Sequence, residues 1–425
     1  MPAFREAFWF WLKLGFISFG GPAGQIAIMH RVVVDERKWI DEARFLHALN
    51  FCVLLPGPEA QKLATYIGWL LHGTRGGLAA GILFVLPGAL VMLALSLLYA
   101  LGRGIPAVEG ALFGIKAAVL VIVVEALIRI GKRALKTNLL IAVAAAAFVG
   151  IFFLDLPFPL IVVTAALAGF FTTRASPAQP AAAVAGRWRH AANSILIGVA
   201  LWWTPVALAA LLLGRSHVFT DIGLFFSKLA VVSFGGAYAL LAYMAQQAVE
   251  NYRWMSAPEM VDGLGLAETT PGPLILVTQF VGFLAAYRGA APLPPLAAGA
   301  LGAALTTWVT FVPPMTLIFA GAPFVEQLRA NQRLSGALAA VTAAVVGVIL
   351  NLTVWFALHV LFGQVSEVRS GPLRWYAFDP LALDLRAAAL AALAAVLAFG
   401  FKRGLVELVL LMAALGVAVR FVSPA

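Results

Sequence analysis

Ser18-Phe19-Gly20-Gly21 and Pro56-Gly57-Pro58 stand inside apolar sequence, and both return, as Ser233-Phe234-Gly235-Gly236 and Pro271-Gly272-Pro273. The offset is 215 residues for each motif, with no insertion or deletion between them. The same offset pairs Lys13 with Lys228, Met29 with Met244, Trp39 with Trp254 and Leu49 with Leu264. Chance does not hold register that long and concentrate its identities on Gly, Pro and Trp. Helix breakers are costly inside apolar helices, so their paired return predicts a duplicated membrane domain with interrupted helices in each copy.

Composition supports a membrane chain. Of 425 residues, 62% are hydrophobic and 11% charged, against roughly 25% charged in soluble domains. Apolar runs near the ~20 residues that cross a bilayer recur throughout. No short charged, apolar and cleavage pattern precedes Phe8, so the first apolar segment reads as a permanent span. Cys52 is the single cysteine, which excludes an internal disulfide and a cysteine-based metal cluster. The histidines form no ligand set, so no metal or cofactor is expected. The net charge of +10 is mostly that of loop Lys and Arg obeying the positive-inside rule, and no nucleic-acid partner is expected. A nucleotide-binding Gly-x-x-x-x-Gly-Lys-Ser/Thr motif is missing, which argues against a built-in ATP motor. With no nucleophile–base pair in sight, the chain does not read as an enzyme.

The predicted fold is an all-α polytopic membrane protein of two homologous repeats with broken helices. Residues 1–173 form the first repeat, 174–216 a linker with an extra apolar segment (Ile195 to Leu213), and 217–425 the second repeat. Pro87-Gly88 is answered by Pro313-Pro314, and Gly110-Ala111-Leu112 by Gly336-Ala337-Leu338. If each Pro-Gly-Pro region counts as one crossing, six crossings return the chain to its starting side, and the extra segment then inverts the second copy. His30 to Arg44 holds Arg31, Arg37, Lys38 and Arg44, whereas Ala245 to Glu259 holds only Arg253. Equivalent loops of such different charge are expected on opposite sides. Re-entrant Pro-Gly-Pro hairpins would give five crossings per copy instead. The favoured expectation is thirteen segments in inverted repeats.

A helix broken in mid-membrane frees backbone groups, tolerated only where protein buries them or a wet cavity receives them. It also presents a fresh N-terminus with unpaired N–H donors and partial positive charge, which suits an anion. Two such breaks near the midplane are the layout of a secondary transporter. The alternative is packing glycines and simple proline kinks. The pairs Gly20 and Gly24, Gly77 and Gly81, and Gly110 and Gly114 do have small-xxx-small spacing.

Phe19-Gly20-Gly21-Pro22-Ala23-Gly24-Gln25 in a first helix, then Pro56-Gly57-Pro58-Glu59-Ala60-Gln61, resemble the signatures of the chromate ion transporter family. The second-half motifs match its long, two-domain members. The resemblance implies export of chromate, a tetrahedral dianion similar to sulfate, through a multi-pass protein of a bacterial plasma (inner) membrane, conferring chromate resistance. Substrate-binding candidates in the first copy are Ser18, Phe19, Gly20, Gly21, Pro22, Gln25, Pro56, Gly57, Pro58, Gln61, Lys62 and Lys116. Those in the second are Ser233, Gly235, Gly236, Thr269, Thr270, Pro271, Gly272 and Pro273. Glu59 and Glu268 are the proton-coupling candidates; Glu59 could instead merely stabilise a helix dipole. A Lys116–Glu125 ion pair is not expected, since nine residues of helix separate them by over ~13 Å. The expected driving force is the membrane potential, proton exchange or both. Sulfate or another oxyanion as the cargo, and a channel in place of a carrier, stay open. The expected partners are chromate, sulfate as a second candidate, and the lipid bilayer, and a homodimer stays open.

Overall fold

The computed structural model describes every residue except 20, 103, 174–186, 235–236, 323–331 and 423–425. The expected linker core, 174–186, and Gly20, Gly235 and Gly236 therefore lie outside the described residues. Among the described residues the fold is all-α apart from one small hairpin. In the first half come α1 (Phe4–Ile17), α2 (Gly21–His30), α3 (Glu42–Leu54), α4 (Glu59–Leu101), α5 (Pro106–Ala134), α6 (Asn138–Phe152) and α7 (Phe158–Thr172). Then follow α8 (Arg187–Leu212), α9 (Val218–Val231), α10 (Ala237–Gln246), α11 (Ala257–Thr269), α12 (Val277–Gly289), α13 (Pro295–Gly321) and α14 (Gln332–Leu361). The hairpin β1 (Val365–Ser370) and β2 (Leu373–Phe378) precedes α15 (Leu385–Ala395) and α16 (Leu405–Val422).

Among the described residues, six helices are long and apolar enough to cross a membrane: α4, α5, α8, α13, α14 and α16. The breaks explain why the others fall short. The first apolar run stops at Ser18 and restarts at Gly21, where φ is +72°. On the two sides of Pro56-Gly57-Pro58, α3 ends at Leu54 and α4 begins at Glu59; α4 itself leaves helical geometry at His72 and Gly73. The piece from Glu59 to the break at His72 spans roughly 20 Å, too little to cross alone. Arg187 to Arg189, read from sequence as linker, already belong to α8.

Backbone detail recurs at the same 215-residue interval. The Arg37 N–H donates to Val32 and the Tyr252 N–H to Gln247, each closing a wide turn, and Trp39 and Trp254 donate to Val33 and Ala248. Lys38 and Arg253 both take left-handed φ, 50° and 52°. The stretch from Arg31, expected to be a charged loop, begins as a π-helical turn through Glu36, matched by Gln247–Asn251.

Two compact units result, and neither follows the halves of the chain. One comprises Met1–Ala94, Leu167–Ala237 and Thr270–Leu338; the other comprises Leu95–Ala166, Tyr238–Thr269 and Ala339–Ala425. Within the first, α13 packs on α12, α8 and α9. Within the second, α5 packs on α16, α15 and α11. Gly110 and Gly114 of α5 lie directly against α16 at Gly416 and Met412, so the small-residue spacing serves close helix packing there.

The hairpin was not foreseen. Its strands pair antiparallel from Val365 with Phe378 to Ser370 with Leu373, turning at Gly371 with φ +59°. Buried Arg374 holds it down: its N–H donates to the Phe153 carbonyl at 2.7 Å and its guanidinium reaches the Ile151 and Phe152 carbonyls at 2.7 and 3.4 Å. These are the open carbonyls at the end of α6, which a cation satisfies. The same guanidinium meets Asp155 at 2.9 Å and Glu250 at 3.4 Å, while Arg369 takes the other Asp155 oxygen at 2.7 Å.

Candidate functional site

Within the first unit, the four repeated motifs meet crosswise. The Gly57 N–H donates to the Ser233 carbonyl at 2.8 Å, and the Gly272 N–H donates to the Ser18 carbonyl at 2.8 Å. Each serine carbonyl left open by a broken helix is thus closed by the glycine of the Pro-Gly-Pro from the other half of the chain. Only glycine suits either position. Gly57 and Gly272 sit at φ +106° and +92°, and a Cβ on Gly57 would collide with the Pro314 ring. Gly88 likewise lies against the Pro271 carbonyl. Pro314 of α13 and Gly88 of α4 thus each lie against one Pro-Gly-Pro.

These bonds assign the glycine donors. The Gly57 and Gly272 N–H groups are both engaged by serine carbonyls. Gln25 is buried, and its amide donates to Gly272 at 2.6 Å and Ser18 at 3.3 Å, bracing the Ser18–Gly272 junction. Lys62, also buried, donates to the Leu55 carbonyl at the end of α3. Glu59 is half-buried at the first position of α4, where a carboxylate complements the helix dipole. Phe19, Pro22, Pro56 and Pro58 are half-buried, while Ser233, Pro271 and Pro273 are buried.

Three polar atoms remain unsatisfied there. Both amide atoms of Gln61 are fully buried with no hydrogen-bond partner among the described residues, and so is the Ser18 hydroxyl. An unpaired buried polar group costs ~1–3 kcal/mol, so the Ser18 hydroxyl at one junction and the Gln61 amide four residues after Gly57 each mark a place that a polar ligand or water would complete. Beside Gly21, at the start of α2, a Cβ would meet nothing within 4 Å. The start of α2 thus has open space beside Gly21, whose N–H lacks an intrahelical partner, while Pro22 carries no N–H.

The remaining candidates lie in the second unit or at its border. Thr269 turns its hydroxyl back onto the Leu266 carbonyl at 2.7 Å, and Glu268 is buried. Thr270, the first residue of its segment in the first unit, is buried. Lys116 of α5 does not pair with Glu125, which meets Arg129 at 3.6 Å. Its partner is Asp262 of α11, at 3.0 Å. The Tyr99 hydroxyl donates to the other Asp262 oxygen at 2.9 Å. Sequence reasoning passed over Asp262 and Tyr99. The available signal was an aspartate inside the apolar run from Met260 to Leu266. Among the described residues no group of His, Cys, Asp and Glu is arranged to hold a metal ion.

Comparison with known proteins shows the family. The Chromate transporter family matches the chain twice, over residues 5–170 and 220–419. A chromate transport protein of Pseudomonas aeruginosa is 33% identical over 367 residues, covering 83% of this chain and 80% of that protein. One from Cupriavidus metallidurans is 26% identical over 357 residues, 83% of this chain and 82% of the relative. No solved structure matches. The double match of the family and the similarity over most of the length lead to one conclusion: the chain belongs to the chromate transporter family.

Proposed function

We propose that the protein is a secondary transporter that exports chromate from the cytoplasm across a bacterial plasma membrane and so confers chromate resistance. The observation that carries this reading is the crossed junction with two unsatisfied side chains, Ser18 three residues before Gly21 and Gln61 four residues after Gly57. A tetrahedral dianion accepts hydrogen bonds on every oxygen. The Gln61 amide, the Ser18 hydroxyl and the Gly21 N–H offer donors without requiring a full cation. Gln25 and the two Pro-Gly-Pro glycines hold the donors in place. Movement of one repeat against the other would expose this site to each side in turn. A negative-inside potential favours anion exit by ~2.3 kcal/mol per charge per 100 mV, so the potential alone suffices as the driving force.

The deciding experiment is chromate flux in inside-out vesicles with and without the protein, with sulfate as competitor. Energised, protein-dependent uptake of chromate that sulfate inhibits supports an exporter with an oxyanion site. Clear sulfate movement without chromate movement retains the transporter and removes the chromate assignment.

A further inference from the structure

Lys116, Asp262 and Tyr99 form a polar trio within the second unit, Asp262 and Tyr99 buried and Lys116 half-buried. Counting from Pro106, Lys116 lies about 15 Å along α5, deep in a helix long enough to span the bilayer. Asp262 sits on α11, which approaches closely because Gly265 faces Ile115: a Cβ there would stand 2.5 Å from the Ile115 side chain. A charged pair inside a membrane bundle is expensive, and its retention points to function.

The geometry of the pair is incomplete. The Lys116 ammonium is 3.0 Å from Asp262 Oδ1, within ion-pair range, yet Oδ1 is buried and accepts no aligned hydrogen bond. Oδ2 is satisfied by Tyr99. The lysine side chain keeps 22% exposure against 8% for the aspartate. The cation therefore has an open side and N–H groups to spare, while the carboxylate behind it has an oxygen able to take a proton. The other charged group on α11 near Asp262 is Glu259, whose carboxylate accepts the Ser256 N–H at 2.9 Å. From α16, which also packs on α11, Glu407 and Arg420 are occupied by Arg403 and Glu109 at 2.7 and 2.9 Å.

We propose that the Lys116–Asp262 pair is a proton-gated anion site. A proton on Asp262 Oδ1 releases the Lys116 ammonium to bind the dianion, so proton and anion bind together and travel in the same direction. With Asp262 ionised, the lysine is neutralised and the carboxylate repels the anion. With Asp262 protonated, both obstacles vanish. Linkage makes the effect mutual: the proton tightens anion binding, and the anion tightens proton binding by the same factor. One proton accompanying a dianion leaves one net charge moved per cycle. This rests on the reading that the protein carries a dianion, and it excludes exchange of anion for proton at this site.

The test is equilibrium binding of radiolabelled sulfate, whose charge does not change over the range, to the purified full-length protein between about pH 6 and 8. Wild-type affinity is expected to rise about tenfold per unit fall in pH, one proton per anion. Asp262→Asn should bind tightly with no pH dependence, and Lys116→Gln should lose the pH-dependent binding, keeping at most what the donors of the first unit hold by themselves. Tyr99→Phe removes a donor that favours the ionised carboxylate and should move the curve towards higher pH, which decides the matter if Asp262→Asn does not fold. Wild-type slope retained in Asp262→Asn, an unmoved curve in Tyr99→Phe, or unimpaired binding in Lys116→Gln overturns the proposal. Chromate flux in vesicles with no pH-dependent binding sinks this site alone; no flux of either anion sinks the transport reading with it.

Discussion

Gln61 has a large buried amide with no partner among the described residues, and that makes it the most informative residue to change. If a substrate completes it, Gln61→Leu should cut protein-dependent chromate uptake by about tenfold or more, the loss of one to two hydrogen bonds. The same change should leave the melting temperature in detergent unchanged or raise it, because an apolar side chain of similar size removes an unsatisfied group. Uptake and melting, measured together, separate a ligand-binding amide from a merely structural one, for which both would fall. Gly57 is the opposite case. Gly57→Ala puts a Cβ into the Pro314 ring at φ +106°. The strain alone costs ~1–3 kcal/mol, so this variant should melt lower and yield less folded protein whether or not substrate is present.

At the scale of elements, the β1–β2 hairpin acts as a clamp on the end of α6. Burial raises the Glu250 carboxyl from 4.5 to about 7, against the pull of Arg374. Glu250 lies in the turn after α10, outside the long apolar helices. A carboxyl that holds its proton more tightly folded than unfolded stabilises the fold below its unfolded value, and that contribution is lost as pH rises through about 7. Thermal melting in detergent should therefore weaken as pH climbs across that window, and Glu250→Gln should flatten the dependence. Arg374→Ala strands Asp155, Glu250 and Glu367 without the guanidinium they share and reopens the α6 carbonyls. A loss of ~3–5 kcal/mol is expected, visible as a drop in melting temperature that lower pH partly restores. An unchanged melt would mean that the hairpin does not clamp the helix.

For the whole molecule, the reading is electrogenic flux of an anion. If two charges cross per cycle, the potential contributes ~4.6 kcal/mol per 100 mV; if a proton accompanies the dianion, ~2.3. Collapsing the potential with an ionophore should abolish energised chromate uptake into inside-out vesicles in both cases. The shift of the accumulation ratio with applied potential then counts the charges.

Much of this organisation is legible in the order of residues. Apolar runs of sufficient length, Gly and Pro placed where a helix must stop, and motifs returning after 215 residues are local signals, because helix propensity and hydrophobic length act over a few turns. They were enough for the all-α membrane fold, the positions of the breaks and the family resemblance. The partners of those breaks lay beyond reach. Ser18 closes on Gly272 and Ser233 on Gly57 only because packing brings residues more than a hundred positions apart within a hydrogen bond. Lys116 reads as an unpaired anion ligand until the approach of α11 supplies Asp262. The hairpin escaped notice because its pattern is short and weak beside twenty-residue apolar runs, and its stability comes from Arg374 meeting groups on other elements. Sequence determined where the helices stop, since that is a property of neighbours along the chain. Tertiary structure alone decided which stopped ends face one another, since buried polar groups must find partners wherever the fold delivers them.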